Sequence, residues 1–576
     1  MDSQWHRVNG SNGLDIIVDI NDKTDNYSDK NGAVVIQGYV LIDNQPATAE
    51  QVLKTYMQIG SVSGLYATLS GQFWILLKPA SSPPIVFGDH IGSQPCYYFN
   101  SDTQLIVSSS LKSIKARSDM ELTVSKQALY NYIYFHCIPA PTTVYEEVFK
   151  LEPGKAVSFA GSTKTTSLLY SPEFAIKLEN QQQAQQQSLD TIEQAVKSHA
   201  KGNVGAFLSG GLDSSTVAGM LAKTQNEQAK TFSIGFEVPG YDETEYAVLT
   251  AKHFNTDHEV LYLKPEEAAA EFVNVAQYFD EPFGNSSAMA AYFCAKFAKQ
   301  HGVDVLLAGD GGDELFAGNE RYAKQKVFEK YYCLPSWLGN TVNVFFNNPI
   351  TRALPGFKKV ASYLNQARVK LPARLQTHNF VNQLGVENIF HADLLSDVNP
   401  SLPEQQLKQR FDECKSDHPV DGMLFLDWKF TLADNDLVKV GKMCELAGVE
   451  VRYPLLDKNI VDFSCTVPAD VKLPGGELRD FYKKSCKGFL ADETLNKSKH
   501  GFGLPFGVWM KENQTLKDLT ITTLNQFKQR NIVKESLIDQ ARNAHESVHT
   551  GYYGELIWIM VVLELWLQKE APGFRA

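Results

Sequence analysis

The segment Leu208-Ser209-Gly210-Gly211-Leu212-Asp213-Ser214-Ser215 decides how this chain is read. It follows the apolar run Val204–Phe207 and precedes Thr216-Val217-Ala218-Gly219-Met220-Leu221, a pattern of strand, tight loop and helix. Gly210 and Gly211 allow backbone angles closed to other residues and let the main chain approach a ligand. Ser209, Ser214 and Ser215 add hydroxyls, and the following helix directs N–H groups and its positive dipole end at whatever sits there. Such a nest suits a polyphosphate. Asp213 is out of place beside phosphate unless a divalent cation lies between them, since Mg²⁺ takes carboxylate and phosphate oxygens together. A plain glycine turn would explain any two of these features; phosphate binding explains them all.

No Gly-Lys-Ser/Thr follows the glycines, so this is not a Walker loop. SGGLDSS resembles the pyrophosphate loop of the asparagine synthetase (class B) family and its relatives, which split ATP into AMP and pyrophosphate. From 200 to 320, strands alternate with helical patterns, which implies a parallel sheet with crossover helices. Strands are expected at 204–208, 231–236, 258–263 and 303–308, and helices at 215–224, 244–254 and 287–301. Ligands of such sheets bind at the carboxyl ends of the strands. The resemblance therefore places ATP against Leu208, Ser209, Gly210, Gly211, Asp213, Ser214 and Ser215, with Ile234, Ala308 and Gly309 at the neighbouring strand ends.

The run Leu306-Leu307-Ala308-Gly309-Asp310-Gly311-Gly312-Asp313-Glu314 crowds three acids into five residues. Like charges this close repel unless a cation neutralises them or they point apart. With Asp213 facing it, Asp313 is the second Mg²⁺ ligand expected. Asp310 and Glu314 are candidate catalytic acids, and helix capping is an equal role for Glu314. The family often has Glu where Asp310 stands, and its β-lactam-forming relatives have Tyr. Lys230–Phe236 stands where the family flanks adenine, and Tyr241-Asp242-Glu243-Thr244-Glu245 stands where it opens the next helix. Asp280-Glu281-Pro282-Phe283-Gly284-Asn285-Ser286-Ser287 resembles the family's D-E-P loop beside the acceptor carboxylate, although alone it reads as a surface turn. Gly448–Asp457 resembles L-E-V-R-V-P-F-L-D, with Arg452 and Asp457 expected as a buried structural pair. Lys497-Ser498-Lys499-His500-Gly501-Phe502-Gly503-Leu504-Pro505 resembles R-x-K-x-G-F-G-x-P and makes Lys499 the expected catalytic cation near the α-phosphate.

Residues 1 to about 165 read as strand-rich, with β-branched or aromatic runs at 33–40 and 71–77. Gly88–Tyr98 resembles the D-R-x-G-x-x-P-L-Y-Y segment of the family's N-terminal glutaminase domain, with His90 in place of arginine. Tyr132–Thr143 and Lys150–Gly154 resemble its exit. Yet such a glutaminase uses an N-terminal cysteine whose free amine is the base. Position 2 is Asp2, no cysteine precedes Cys96, and the Asn-Gly-Glu clamp is missing near Gln37-Gly38-Tyr39. The expectation is a glutaminase fold retained without glutaminase chemistry. The glutamine-rich stretch 179–187 marks the boundary or begins a helix, with a linker between 168 and 186. The implied architecture is α/β: an Ntn-hydrolase-like α+β sandwich at 1–170, then a parallel-sheet ATP-pyrophosphatase domain with extra helices at 186–576. Residues 325–425 are helical in pattern and carry no readable motif.

At 576 residues two or more domains are the default. The composition, 43% hydrophobic and 21% charged, is that of an ordinary folded protein. A net charge of −12 without a basic block argues against nucleic acid. Eight scattered cysteines without metal spacing suit a reducing compartment. No apolar signal core opens the chain, and the apolar stretch Leu556–Leu567 is too short to cross a bilayer, so a buried helix, no membrane partner and a cytoplasmic location are expected. The resemblance implies an ATP- and Mg²⁺-dependent ligase that joins a carboxylate to an amine or ammonia. Free-ammonia asparagine formation is one reading; amide formation with an amine already on the substrate, as in lasso-peptide cyclases or another biosynthetic ligase, is the alternative, with glutamine-hydrolysing asparagine synthesis and a non-enzymatic scaffold behind them. A homodimer and a partner protein or precursor peptide also stay open.

Overall fold

The computed structural model describes residues 4–8, 14–117, 120–329, 331, 357–497 and 503–576, with 357–360 as backbone alone. Asp2 and Lys499 lie outside these residues.

The N-terminal half is a sandwich of two sheets. One contains Asp15–Ile20, Gln104–Ser108 and Tyr97–Asn100; the other is built on the long antiparallel pair Gly32–Ile42 and Leu69–Pro79. The expected strands at 33–40 and 71–77 are this pair. Its apolar runs are continuous because both faces are buried. Ala33, Val35, Trp74 and Leu76 meet Ile16, Val18, Leu105 and Val107 between the sheets. Val34, Ile36 and Val40 face the other way, into a core shared with the helix Ala49–Ile59. The result is an Ntn-type α+β sandwich.

After 169–180, which carry no regular element, the helix Gln181–His199 begins inside the glutamine-rich stretch. The third sheet is fully parallel. Its order is Asp257–Tyr262, Lys230–Gly235, Val204–Phe207, Val305–Leu307 and Glu450–Arg452. The four expected strands are present with ends shifted by one or two residues. The fifth, Glu450–Arg452, was legible only as a motif, and the helix Pro265–Tyr278 was not expected. Strand order reverses at Val204–Phe207, which opens a crevice beyond its carboxyl end.

The apolar stretch 556–567 lies within the helix Thr550–Glu570 and is buried throughout. By length and composition this helix is long enough to span a membrane. Here it is enclosed by protein, and Glu564 on it is 1% exposed and held by the Arg530 guanidinium at 2.9 and 3.0 Å. The described cysteines form no disulfide; six are buried and Cys414 is half-buried.

The structure departs from expectation at two motifs. Arg452 and Asp457 do not pair: Arg452 Nε reaches Glu450 at 2.6 Å and its Nη1 reaches the His199 carbonyl at 2.6 Å. Asp457 instead caps the helix Lys458–Thr466, accepting from Asn459 N. Within the loop Asp280–Ser287, Asp280 and Glu281 are buried and tie the loop to the N-terminal half, while Ser287 at its far end lines a cavity at the strand ends. Asp280 accepts from Ser110 Oγ and Lys112 N and pairs with Lys442 at 2.6 Å. Glu281 pairs with Lys150 at 2.6 Å and accepts from Val144 N. These charges are buried in pairs, which is the condition under which burial is tolerated.

Removing one partner of such a pair leaves the other charge stranded. Glu281→Ala is therefore expected to lower the unfolding free energy by about 3–5 kcal/mol, measured by urea denaturation of the full chain. A loss below ~1 kcal/mol would match an exposed pair and contradict the buried one seen here.

Candidate active site

The crevice at the strand ends holds a cavity of about 780 Å³. On one side Leu208 leaves the first strand, its N–H donating to Phe232 O at 2.9 Å. Gly210 has φ +69, and a Cβ there would lie 2.5 Å from Ala247 N. The loop is braced from within: Ser214 Oγ accepts from Ser209 N at 3.1 Å and shares a hydrogen bond with Ser209 Oγ at 2.9 Å. The helix Leu212–Thr224 starts at Gly211 with no side-chain cap, so its first-turn N–H groups face the cavity.

Ser209, Gly211, Asp213, Ser214, Ile234, Ala308, Gly309, Asp310, Asp313 and Glu314 all line this cavity, together with Leu208. Two expected loop residues do not. Gly210 turns against Tyr246 and Ala247, and Ser215 is fully buried with its hydroxyl on Thr250 Oγ1 at 3.1 Å. Glu314 lies in the first turn of the short helix Gly312–Phe316.

The two glycine loops touch backbone to backbone. A Cβ on Gly309 would lie 2.7 Å from Ser214 N, and one on Gly312 would lie 2.1 Å from Asp213 Oδ1. This contact brings the carboxylates of Asp213 and Asp313 to one place. They share a cation absent from the sequence reading: Arg479, which pairs with Asp313 Oδ1 and lies 3.6 Å from Asp213 Oδ2. Lys439, Lys483 and Lys497 also line the cavity. Lys439 holds Asp436 at 2.8 Å, and Lys497 holds Glu243 at 3.0 Å. The sequence offered no signal for Arg479, whose left-handed backbone (φ 57) sits outside any motif.

Burial pushes the Asp310 carboxyl up to about 6; Lys439 pulls it down and Asp436 pushes it further up. Two carboxylates beside a phosphate-type loop form a hard-oxygen donor set that fits Mg²⁺, which binds one or two carboxylates and completes its shell with phosphate oxygens and water. Among the described residues no cluster of three or more His, Cys, Asp or Glu forms a metal site of its own.

In the N-terminal half, Gly38 (φ +91) lies against the Gln72 carbonyl, and the Tyr39 ring packs edge-on to His199 at 5.6 Å. His90 is buried with Nε2 3.0 Å from the Leu456 carbonyl, and burial lowers its pKa to about 3. Cys96 and Cys137 are buried, and burial pushes both thiols up.

A sandwich joined to a parallel sheet, with a glycine loop facing paired carboxylates at the strand ends, is an arrangement suited to a nucleotide. The chain belongs to the asparagine synthase family, whose model matches residues 187–568, and a glutamine amidotransferase domain model matches residues 44–170. It is 27% identical over 562 residues to glutamine-hydrolysing asparagine synthetase 1 of Bacillus subtilis, covering 94% of this chain and 83% of that one. It is 29% identical over 381 residues to a putative glutamine-hydrolysing asparagine synthetase 2 of Methanocaldococcus jannaschii, covering 63% and 70%. A protein named amidase chry2 from Gibberella zeae is 22% identical over 481 residues, covering 77% and 70%. The family is one of ATP-dependent amide-forming ligases.

Two expectations follow from this geometry. Gly312→Ala would push the Asp213 carboxylate aside, and it is expected to weaken ATP binding about tenfold or more, ~1.4 kcal/mol, in a calorimetric titration. Gly573→Ala, with no neighbour within 4 Å, should leave binding unchanged. Because the folded pKa of Asp310 lies above its unfolded value, its contribution favours the fold below about pH 4 and is lost as pH rises through 6. Asp310→Asn should therefore stabilise the protein by about 2 kcal/mol at pH 8, with the gain vanishing near pH 4 in parallel urea titrations.

Proposed function

We propose that the protein forms an amide through an acyl-adenylate, drawing its nitrogen from ammonia or a substrate amine rather than from glutamine. The observation that carries this reading is the strand-end cavity, in which the Ser209–Ser214 loop faces the Asp213 and Asp313 carboxylates. The loop N–H groups and the start of the helix Leu212–Thr224 bind the triphosphate and set its orientation. Mg²⁺ held by Asp213 and Asp313 would supply charge neutralisation at the leaving pyrophosphate. Ile234 and Ala308 form an apolar floor that keeps water from the nucleotide. A substrate carboxylate is oriented for in-line attack on the α-phosphate, which gives acyl-AMP and pyrophosphate. Lys499 is assigned to the developing charge by its motif. Asp310, ionised above about pH 6, accepts a proton from the attacking amine. AMP then leaves and the amide remains. Residues 1–170 and 186–576 serve as a glutaminase-like structural domain and a synthetase domain.

The nitrogen source is argued from the N-terminal half. Its described thiols are buried and held protonated, and Tyr39 packs against the synthetase half where a glutamine clamp would lie. The same observation supports the second reading, in which the nucleophile is an amine already on a peptide or pathway intermediate.

Pyrophosphate release with ATP, Mg²⁺ and aspartate, compared with glutamine, ammonium or no nitrogen source, tests the proposal. Asparagine formation with ammonium and not with glutamine is the expected result. Full activity with glutamine would overturn it. Release with none of the three would exclude aspartate as acceptor and leave the second reading. Asp213→Ala, Asp313→Ala or Lys499→Ala is expected to lower turnover by at least about 10³-fold with the fold retained, checked by single-turnover assay beside thermal melting.

A further inference from the structure

Arg479 stands at the centre of the carboxylate pair, and its position is tightly determined. Its side chain is 11% exposed, and those of Asp213 and Asp313 are each 17% exposed. Its N–H donates to Ala317 O at 3.3 Å. A Cβ on Gly318 would lie 2.3 Å from Arg479 Nε and 1.8 Å from Asp313 Oδ1, so the guanidinium passes through a slot that only glycine leaves open. Burial works against its charge, but Asp213 and Asp313 outweigh that and raise its pKa. One positive charge thus answers two carboxylates at the place where the proposed function puts a divalent cation.

We propose that Arg479 is a positioning residue that occupies the Asp213–Asp313 pair as a counter-ion until nucleotide arrives, so that the divalent cation enters with ATP and not ahead of it. This rests on the reading of that pair as the metal-holding carboxylates. A free cation must shed water and displace a buried guanidinium, and Mg²⁺ dehydrates reluctantly. The guanidinium then loses both ion-pair partners, which is costly for a buried charge. Triphosphate changes this balance. Its oxygens complete the metal's shell and offer the displaced guanidinium a planar bidentate partner. Arg479 keeps the two carboxylates converged in the nucleotide-free protein and turns to phosphate in the complex.

The test is Mn²⁺ binding to the full chain, read by electron paramagnetic resonance without nucleotide. Arg479→Gln is expected to bind Mn²⁺ about tenfold or more tightly than the parent, because a cation facing two carboxylates is gone. Arg479→Lys, which keeps a charge without the fork, should fall between them. Adding Asp213→Asn to Arg479→Gln should abolish the gain. A residue that merely supported the fold would change the melting temperature without raising Mn²⁺ affinity. Equal Mn²⁺ affinity in the parent and in both single variants would overturn the proposal. A parallel calorimetric titration of ATP with and without Mn²⁺ separates the two readings. If Mn²⁺ strengthens ATP binding while the variants show no gain, only the counter-ion role falls. If it does not, the metal-holding role of the pair falls with it.

Discussion

Two stretches of main chain meet at the strand ends with no side chain between them, and most of the site depends on that contact. Gly309 and Gly312 lie so close to Asp213 and Ser214 that even a methyl group would intrude. Parallel strands at Val204–Phe207 and Val305–Leu307 bring the loops side by side, since paired strands are spaced about 4.8 Å apart. Glycine allows the last few ångströms of approach. The carboxylates of Asp213 and Asp313 are consequences of this approach, because each extends from one side of the contact into the same cavity. Their mutual repulsion is answered by Arg479, which arrives from a third segment far along the chain.

Buried charged groups join the N-terminal half to the synthetase half. Asp280 and Glu281 reach across to Lys112 and Lys150, and Asp434 accepts from the Ala140 N–H at 3.0 Å while holding Arg410 at 2.6 Å. Lys429 donates to the carbonyls of His90 and Pro153 at 2.9 and 3.0 Å. A domain kept only by inheritance would be free to lose these partners one at a time. Here each loss strands a buried charge, so the sandwich has become part of the fold of the ligase.

The glycine loop after Val204–Phe207, the parallel sheet and the acidic strand end were legible because local residue type and spacing carry them. Gly210, Gly309 and Asp313 each announce a backbone or charge constraint within a few residues. Asp280-Glu281 was misread for the opposite reason. Ser110, Lys112, Val144 and Lys150 lie more than 130 residues upstream and Lys442 lies as far downstream, and a surface turn and a buried ion-pair hub share the same local letters. Arg452 and Asp457 fell to a similar error: both are half or fully buried, but local partners, Glu450 and the Asn459 N–H, satisfied them first. Arg479 was invisible because its role depends on a left-handed backbone and a slot beside Gly318, neither of which has a sequence pattern.

The helix Thr550–Glu570 bears on how the chain must be made. It packs against Pro265–Tyr278, nearly three hundred positions earlier, and fills the centre of the C-terminal core. A ribosome emits about 5–20 residues per second, so the earlier helix waits at least about ten seconds for its partner. During that wait Phe272, Val275 and Ala276, all buried in the finished protein, face water or a chaperone. Non-local packing of this kind slows folding and lengthens exposure to aggregation. Shelter of the nascent chain during that wait is a demand that this packing places on its synthesis.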